Sequence, residues 1–317
     1  MWAGTNAGRV LLSVRGFDPA QWRELLSRQR TVVTELDDPA DPSIHYAVVW
    51  KQPSGILARL PNLRAIFSVG AGVDHLFADP DLPDVPIVRV VDDNLTGHMV
   101  EYVAWRVLDH HRQGMTYRAN QAAALWFDMP QPRADEVAVG FLGFGNLAKA
   151  AVAALRPFGF QLNGWSRSPS AMEGVRCFDG PGGLGPFLAA TDILVVLLPL
   201  TDATRGMVDH GLLGGLRRGN ALGGPVLINA GRGGLQNEAD ILRALEDGTL
   251  KEASLDVFES EPLPTLSPLW PHHQVFVTPH AAAVSDPAHL VPSMLAQMDA
   301  HDGGAPLRNL VDRAAGY

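Results

Sequence analysis

A glycine-rich segment in the middle of the chain has the composition of a phosphate-binding loop. The segment is Gly143-Phe144-Gly145-Asn146-Leu147-Ala148, between the apolar run Val137 to Leu142 and the helical run Lys149 to Leu155. In such a loop the first glycine permits a tight turn, the second lets the backbone approach a pyrophosphate, and a small third residue lets helix and strand pack closely. Glycines also mark ordinary turns, but the strand before and the helix after this segment favour a dinucleotide site that includes Gly143, Gly145, Asn146 and Leu147.

The residues at the end of the next predicted strand indicate which dinucleotide binds. Ser166, Arg167 and Ser168 stand there, about 20 residues beyond the glycine loop, where an acidic residue would bind the ribose 2′-hydroxyl of NAD. A hydroxyl and a guanidinium instead suit the 2′-phosphate of NADP, which arginine binds bidentately. We therefore predict that NADP(H) is preferred and that NAD(H) is the second option. The alternative for Arg167 is a solvated loop charge.

Three later segments each follow a predicted strand and carry side chains suited to catalysis. They are Asn229-Ala230-Gly231-Arg232-Gly233-Gly234, Leu255-Asp256-Val257-Phe258-Glu259-Ser260-Glu261-Pro262-Leu263-Pro264 and Thr278-Pro279-His280-Ala281-Ala282-Ala283. Open α/β sheets bind ligands beyond the carboxyl ends of their strands. We therefore expect the side chains of these segments to converge although they are far apart in the sequence.

The first part of the chain alternates short β-rich runs with helical patterns, which is typical of βαβ units and a parallel sheet. Strands are predicted at Arg9 to Val14, Tyr46 to Trp50, Arg64 to Val69 and Ile87 to Val91, with a helix around Trp22, Leu25 and Leu26. A long connecting helix is predicted from about Gly97 to Asn120, with Thr96 as its N-cap. A loop is expected from Trp126 to Asp135, which is rich in Pro and polar residues.

The second part of the chain carries a stronger pattern of the same kind. Six apolar runs, most of them separated by helix-length segments, are Val137 to Leu142, Gln161 to Trp165, Ile193 to Leu198, Val226 to Asn229, Ala253 to Val257 and Val275 to Val277. A last helix, about Pro287 to Ala300, is expected to return to the first domain. We predict an α/β protein with two Rossmann-like or flavodoxin-like doubly wound parallel-sheet domains and the active site in the cleft between them. Residues 1–96 plus about 286–317 would form the substrate-binding domain, and residues 97–285 the dinucleotide-binding domain.

The segments quoted above resemble the motifs of the D-isomer-specific 2-hydroxyacid dehydrogenases: the GxGxx(G/A) loop, N-x-x-R-G, L-D-V-F-x-x-E-P and P-H-x-A. The resemblance extends over nearly the whole chain and includes Phe67 to His75 and Leu310 to Arg313. These stretches, together with Trp50-Lys51 and His110-His111-Arg112, are most similar to the glyoxylate/hydroxypyruvate reductase A branch. The resemblance implies an NAD(P)-dependent 2-hydroxyacid dehydrogenase that uses NADPH to reduce a small 2-keto acid such as glyoxylate or hydroxypyruvate.

Carried onto matching positions, the resemblance implies that Arg232, Glu261 and His280 are catalytic. Reduction of a 2-keto acid needs a hydride at the carbonyl carbon and a proton for the developing alkoxide. His280 fits the general acid because an imidazolium donates a proton near neutral pH, and a hydrogen bond to Glu261 would orient its ring. Arg232 would hold the substrate carboxylate and polarise the keto oxygen. Each residue alone also fits a structural role, and it is the ordered trio within matching motifs that favours catalysis.

The remaining predicted contacts involve substrate and cofactor. The turn Gly70-Ala71-Gly72 is predicted to bind the substrate because its glycines let N–H groups approach a carboxylate, with an ordinary turn as the alternative. Trp50 and Met99 are predicted to line the pocket, with core packing as the alternative for both. By the resemblance, Asp256 would contact the nicotinamide carboxamide. Further predicted cofactor contacts are Leu198, Pro199, Ala230, Gly231, His280 and Ala282.

Composition and charge exclude several other classes of protein. The chain has 317 residues, 46% of them apolar, which is enough for a core in each of two domains. The net charge of −9 argues against binding to nucleic acid or to a membrane surface, because both need a basic excess. Cys177 has no second cysteine to pair with, and the N-terminus lacks a basic segment followed by a long apolar run, so we expect a cytoplasmic protein. The adjacent pairs His110-His111 and His272-His273 do not face one site, which argues against a metal.

Two alternatives stay open at the level of the sequence. The substrate of the same kind of enzyme could be a bulkier 2-keto acid such as phenylpyruvate, depending on the pocket volume around Trp50 and Met99. The chain could also be a catalytically idle dinucleotide-sensing scaffold, which loss of a residue of the catalytic trio would have favoured. A homodimer is expected, since the family commonly dimerises through the region of the predicted loop, where Trp126 could reach the partner subunit.

Overall fold

Two parallel β-sheets form the framework of the chain, one in each of two units. The computed structural model describes residues 8–16, 18–36, 38 and 40–316. One unit combines the residues up to Leu95 with those from Ser285 onward, and the other runs from Thr96 to Val284. Every pair of neighbouring strands in the two sheets is parallel, so the predicted α/β class is confirmed.

The first unit contains a five-stranded sheet. Its strands are β1 (Arg9–Val14), β2 (Val32–Val33), β3 (Ile44–Trp50), β4 (Ala65–Ser68) and β5 (Ile87–Val88), in the order β2-β1-β3-β4-β5. Its helices are α1 (Ala20–Ser27), α2 (Asp74–Phe77) and, near the end of the chain, α9 (Pro287–Asp302), which packs against α1. Tyr46 on β3 donates its hydroxyl to Asp302 of α9 at 2.7 Å, and Arg64 pairs with the same carboxylate at 2.6 Å. These polar contacts fix α9 to the sheet.

The second unit contains a seven-stranded sheet with the order β12-β11-β10-β9-β6-β7-β8. Its strands are β6 (Ala138–Leu142), β7 (Gln161–Ser166), β8 (Arg176–Asp179), β9 (Ile193–Val196), β10 (Val226–Asn229), β11 (Glu252–Leu255) and β12 (Val275–Val277). Its helices are α3 (Asp93–His111, which begins in the first unit), α4 (Gly114–Ala122), α5 (Asn146–Leu155), α6 (Gly180–Ala189), α7 (His210–Gly214) and α8 (Glu238–Glu246). The strand order reverses between β6 and β9, and crevices at such reversals bind ligands in open α/β sheets.

Two short strands and one helix break were not predicted. The strands β2 and β8 are edge strands without a long apolar run, and no residue of β8 is fully buried. The predicted long helix is two helices, because Gln113 adopts a left-handed conformation (φ +57°) between α3 and α4. Thr96 was wrong as an N-cap: it lies inside α3, and the carboxylate of Asp92 instead accepts hydrogen bonds from the N–H groups of Asn94 and Leu95. Among the described residues, no helix combines the length and apolar character that a bilayer crossing requires.

A row of buried polar side chains joins α3 to β11. Arg106 and His110 are one helical turn apart, and Glu252 and Ser254 alternate along the strand, so all four face one interface. Arg106 Nε donates to Ser254 Oγ at 2.8 Å, while the ring nitrogens of His110 lie 2.7 Å from Ser254 Oγ and 2.6 Å from Glu252 Oε2. Burial lowers the pKa of His110, so its ring is neutral at pH 7 and can donate to Glu252 while accepting from Ser254. This row anchors the strand that leads into Asp256.

We expect the substitution His110→Gln to weaken the pH dependence of stability below about pH 6.5. Because the pKa of His110 is lower in the folded state than the unfolded value of about 6.5, the unfolded chain takes up this proton first on acidification. The wild-type protein therefore loses stability as the pH falls from about 6.5 toward the folded-state pKa, and the variant lacks this contribution. Urea midpoints at pH 5.5, 6.5 and 7.5 would measure the difference, with the exposed His289→Gln as the matched control. Parallel pH profiles for the wild type and His110→Gln would contradict the expectation.

Candidate active site

The predicted site residues of the second unit lie along one edge of its sheet. The register aligns the last residues of neighbouring strands: Leu142 of β6 and Asn229 of β10 with Val196 of β9, and Val277 of β12 with Leu255 of β11. Each strand is followed within three residues by predicted site residues, which are Gly143 after β6, Leu198 and Pro199 after β9, Ala230 to Arg232 after β10, Asp256 after β11 and His280 after β12. The carboxyl ends of these strands therefore present all of these segments at the same edge.

The glycine loop has the shape that a pyrophosphate requires. Gly143 adopts φ +100°, and a Cβ there would lie 2.7 Å from the backbone nitrogen of Leu198, so only glycine fits this turn. Gly145 is the N-cap of α5 and supplies no side-chain cap, while a Cβ at Gly145 would meet no other atom within 4 Å. Ala148 is buried where the helix packs on the sheet. The N–H groups at the start of α5, which include those of Asn146 and Leu147, can thus approach an anion in open space.

The end of β7 carries one exposed cation. The hydroxyl of Ser166 donates to the carbonyl oxygen of Ser168 at 2.7 Å, which closes the loop and commits the only hydrogen of that hydroxyl. Arg167 and Ser168 are exposed. A phosphate needs donors, so the guanidinium of Arg167 is better suited to bind it than the hydroxyl of Ser166.

His280 and Glu261 form a hydrogen-bonded pair. Nδ1 of His280 lies 2.9 Å from Oε2 and 3.1 Å from Oε1 of Glu261, and both side chains are partly exposed, His280 by 31% and Glu261 by 21%. Glu261 Oε1 also accepts from the N–H of Phe258 at 3.3 Å, which fixes the carboxylate. The pair leaves Nε2 of His280 as the ring nitrogen that can reach a substrate.

The turn that carries Arg232 is organised by Asn229. The Asn229 side chain accepts from the N–H of Gly231 at 3.0 Å and donates to Gln236 at 2.8 Å. Arg232 is half-buried, and its Nη1 donates to the carbonyl oxygen of Gly231 at 2.8 Å. The planar guanidinium carries five donors in a fork whose geometry matches a carboxylate.

Asp256 is held by the segment that carries His280. Its carboxylate is buried and accepts from Thr278 Oγ1 at 2.6 Å, from the N–H of Ala281 at 2.8 Å and from the N–H of Ala282 at 3.0 Å. The hydroxyl of Tyr102 lies 2.9 Å from Thr278 Oγ1. The nicotinamide contact of Asp256 stays a prediction. Sequence reasoning missed Tyr102, although it precedes Arg106 and His110 at the spacing of one helix face.

The predicted substrate contacts are divided between the two units. In the first unit the Trp50 indole occupies the space beside Gly70, where a Cβ would lie 2.4 Å from Cζ3, and its ring packs at a tilt of 55° against His75, with 4.6 Å between centroids. The N–H of Gly70 donates to Ser68 Oγ at 3.3 Å, so Ala71 and Gly72 are better placed as donors. In the second unit Met99 is only 5% exposed and packs in the core, which was the alternative for this residue.

The adjacent residues His110 and His111 do not face one site. His110 contacts Glu252, whereas the ring of His111 packs on Phe160 at 5.0 Å between centroids. In the described part of the chain, no three His, Cys, Asp or Glu side chains are placed to hold a metal ion.

Known proteins match this chain over most of its length. The family model described as "D-isomer specific 2-hydroxyacid dehydrogenase, NAD binding domain" matches residues 104–282. The glyoxylate/hydroxypyruvate reductase A of Escherichia fergusonii is 40% identical over 286 residues, which are 88% of each chain. That of Citrobacter koseri is 38% identical over 313 residues, 95% of this chain and 97% of the relative.

Solved structures also match this chain over nearly its whole length. The NADPH-dependent glyoxylate/hydroxypyruvate reductase of Sinorhizobium meliloti, in complex with NADP and sulfate, superposes with a TM-score of 0.92 at 43% identity and covers 98% of this chain and 100% of that chain. A probable 2-hydroxyacid dehydrogenase of Rhizobium etli, in complex with NADP, HEPES and tartaric acid, has a TM-score of 0.91 at 45% identity and covers 98% of this chain and 99% of that one.

Proposed function

The chain belongs to the D-isomer specific 2-hydroxyacid dehydrogenase family, and from this premise we propose that it uses NADPH to reduce a small 2-keto acid of the glyoxylate or hydroxypyruvate type. The observation that carries the proposal is the His280–Glu261 pair at 2.9 Å, which stands at the same sheet edge as the glycine loop and Arg232. An imidazole held by a carboxylate at this edge is suited to proton transfer. The names of the relatives support the substrate class.

The residues of the second unit fit the cofactor. The start of α5 offers backbone N–H groups and open space for a pyrophosphate, and Arg167 offers an exposed guanidinium for a 2′-phosphate. The other proposed contacts are Leu198, Pro199, Ala230, Gly231, Asp256 and Ala282, all of which follow strands at the same edge. When bound, the nicotinamide supplies the hydride.

The side chains of the site would supply charge stabilisation and the proton. Arg232 binds the substrate carboxylate and stabilises the charge that develops on the keto oxygen. His280 holds the transferred proton on Nε2, while Nδ1–H donates to Glu261 and fixes the ring. After transfer to the alkoxide oxygen the ring is neutral and the product is the 2-hydroxy acid. Trp50, Ala71 and Gly72 are the proposed substrate contacts of the first unit.

The test of the proposal is a substrate panel. Purified protein is mixed with NADPH or NADH and with glyoxylate, hydroxypyruvate, pyruvate or phenylpyruvate, and the loss of reduced-nicotinamide absorbance is followed. We expect the highest kcat/KM for NADPH with glyoxylate or hydroxypyruvate. Faster turnover of phenylpyruvate would move the substrate class to bulkier acids, and NADPH binding without turnover of any acid would reject the reductase.

We expect Arg167→Ala to reduce the preference for NADPH over NADH. A charge-assisted contact to the 2′-phosphate contributes about 1.5–3 kcal/mol, so kcat/KM for NADPH falls roughly 10- to 100-fold while kcat/KM for NADH changes little. Arg243→Ala, which removes an exposed arginine that pairs with Asp240, is the matched control. Equal losses with both cofactors would show that Arg167 does not bind the 2′-phosphate.

A homodimer and a cytoplasmic location are part of the same proposal. Trp126 is fully exposed, and its neighbours Leu125 and Phe127 are 55% and 58% exposed, which is unusual for three consecutive apolar residues. We propose that a second copy of the chain covers them. Sedimentation equilibrium would test this, since a monomer mass at micromolar concentration contradicts it. The lone Cys177 needs no oxidising compartment.

A further inference from the structure

A chain of hydrogen bonds connects α3 to the turn that carries His280. The Tyr102 hydroxyl lies 2.9 Å from Thr278 Oγ1, and Thr278 Oγ1 donates to Asp256 Oδ1 at 2.6 Å. The same carboxylate accepts from the N–H groups of Ala281 and Ala282 at 2.8 and 3.0 Å. This series of hydrogen bonds therefore ends at Ala281 and Ala282, the two residues that directly follow His280.

The side-chain hydrogen bonds of this series run in one direction, from Tyr102 to Thr278 and from Thr278 to Asp256. Thr278 has a single hydroxyl hydrogen, which it donates to Asp256, so Tyr102 must donate to Thr278. Burial raises the pKa of Tyr102 to about 12, so the phenol keeps its proton at physiological pH. Donors aligned in this way polarise one another, and the bond from Thr278 to Asp256 is stronger when Tyr102 donates.

The turn that this series of hydrogen bonds reaches has an unfavourable backbone conformation. His280 has φ +53°, a left-handed conformation that is unfavourable for a residue with a Cβ. Its N–H donates to the carbonyl oxygen of Asp256 at 2.7 Å. Asp256 thus holds the backbone of His280 directly and holds the next two residues through its carboxylate. Such unfavourable backbone persists only where surrounding contacts determine it.

The helix that carries Tyr102 is itself fixed to the strand that carries Asp256. Tyr102, Arg106 and His110 lie on one face of α3 at successive turns. Arg106 donates to Ser254, and His110 is hydrogen-bonded to Glu252. The ring of Tyr102 also packs edge-on against Trp105, with 5.9 Å between centroids. Only 6% of Tyr102 is exposed, so its hydroxyl is held at a defined position.

We propose that Tyr102 is a positioning residue for the general acid, acting through Thr278 and Asp256 to hold the backbone of His280. The inference rests on the proposed function, because it assigns His280 that role. Tyr102 does not touch the reacting atoms. Its contribution is to keep the His280 imidazole at one place relative to the keto oxygen, which raises kcat rather than the affinity for the keto acid.

The first test compares Tyr102→Phe with Tyr46→Phe. Both substitutions delete the hydroxyl of a buried tyrosine, but Tyr46 donates to Asp302 in the first unit. We expect kcat to fall about three- to tenfold in Tyr102→Phe, with KM for the keto acid within about twofold of the wild type, and kcat to be unchanged in Tyr46→Phe. An unchanged kcat in Tyr102→Phe, or a loss confined to KM, would overturn the proposal.

The second test asks whether Tyr102 acts through Thr278. Thr278→Val removes the hydroxyl, whereas Thr278→Ser keeps it. We expect Thr278→Ser to retain most of the wild-type kcat, and the double variant Tyr102→Phe/Thr278→Val to be no slower than Thr278→Val alone. If the losses of kcat in the two single variants instead multiply in the double variant, Tyr102 does not act through Thr278.

Hydrogen exchange tests the same inference without turnover. The amides of Ala281 and Ala282 are bonded to Asp256, so we expect the peptide that spans residues 278–284 to exchange several-fold faster in Tyr102→Phe and at the wild-type rate in Tyr46→Phe. Unchanged exchange would overturn the positioning role. A wild-type protein that reduces no 2-keto acid, but whose exchange responds in this way, would reject the proposed function and retain the hydrogen-bonded chain.

Discussion

We expect replacement of His280 by asparagine to lower kcat by about two to four orders of magnitude and to leave the Kd for NADPH within about threefold of the wild type. The loss is large because the imidazole is the proposed proton donor, and an amide cannot protonate an alkoxide. Asparagine is preferred to alanine because it tolerates the left-handed conformation of His280 at φ +53°, so the turn is retained. Steady-state kinetics with glyoxylate measure kcat, and a fluorescence titration with NADPH measures the Kd.

The controls separate proton transfer from damage to the fold. His273→Asn alters an exposed histidine that stacks on His272, and it should leave kcat unchanged. Glu261→Gln keeps an acceptor for Nδ1–H of His280 but removes the charge, so its kcat should lie between those of the wild type and His280→Asn. A His280→Asn protein with a kcat within threefold of the wild type would remove His280 from the mechanism.

The sheets could be predicted because most of their strands are buried on both faces. Such strands form continuous apolar runs, and the fully buried Val226–Asn229 has the predicted bounds. Arg9–Val14 and the partly buried edge strand Val275–Val277 also have the predicted bounds. The run at Ile193 was predicted to extend to Leu198, but the strand ends at Val196, because Leu198 is already part of the loop at the site. Apolar composition does not distinguish a strand from a buried loop that follows it.

The site residues could be predicted from motifs, but their connections could not. Motif order identified Glu261 and His280, and the structure places them 2.9 Å apart. The link from Tyr102 through Thr278 depends on how α3 packs along β11, and a single sequence contains no such register. The break at Gln113 was missed because a non-glycine residue adopts the left-handed conformation there.

Replacement of Arg232 tests its proposed role in binding the substrate carboxylate and stabilising the developing oxyanion. The guanidinium is half-buried in a turn held by Asn229 and is proposed to bind both the carboxylate and the developing oxyanion. We expect Arg232→Met to lower kcat/KM for glyoxylate by about three orders of magnitude or more, because two charge-assisted interactions are lost. Arg232→Lys keeps the charge without the planar fork, so its kcat/KM should fall roughly 10- to 100-fold.

Whether the substitution changes KM alone or kcat as well distinguishes two roles for Arg232. An arginine that only binds the substrate carboxylate would raise KM and leave kcat unchanged, whereas one that also stabilises the oxyanion lowers kcat as well. We expect both changes, together with partial recovery of kcat in Arg232→Ala when guanidinium ions are added, since the free ion can occupy the space of the lost side chain. Arg243→Met, which alters an exposed arginine paired with Asp240, should match the wild type. A kcat/KM for Arg232→Met within tenfold of the wild type would show that another group binds the carboxylate, and the N–H groups of Ala71 and Gly72 would become the first candidates.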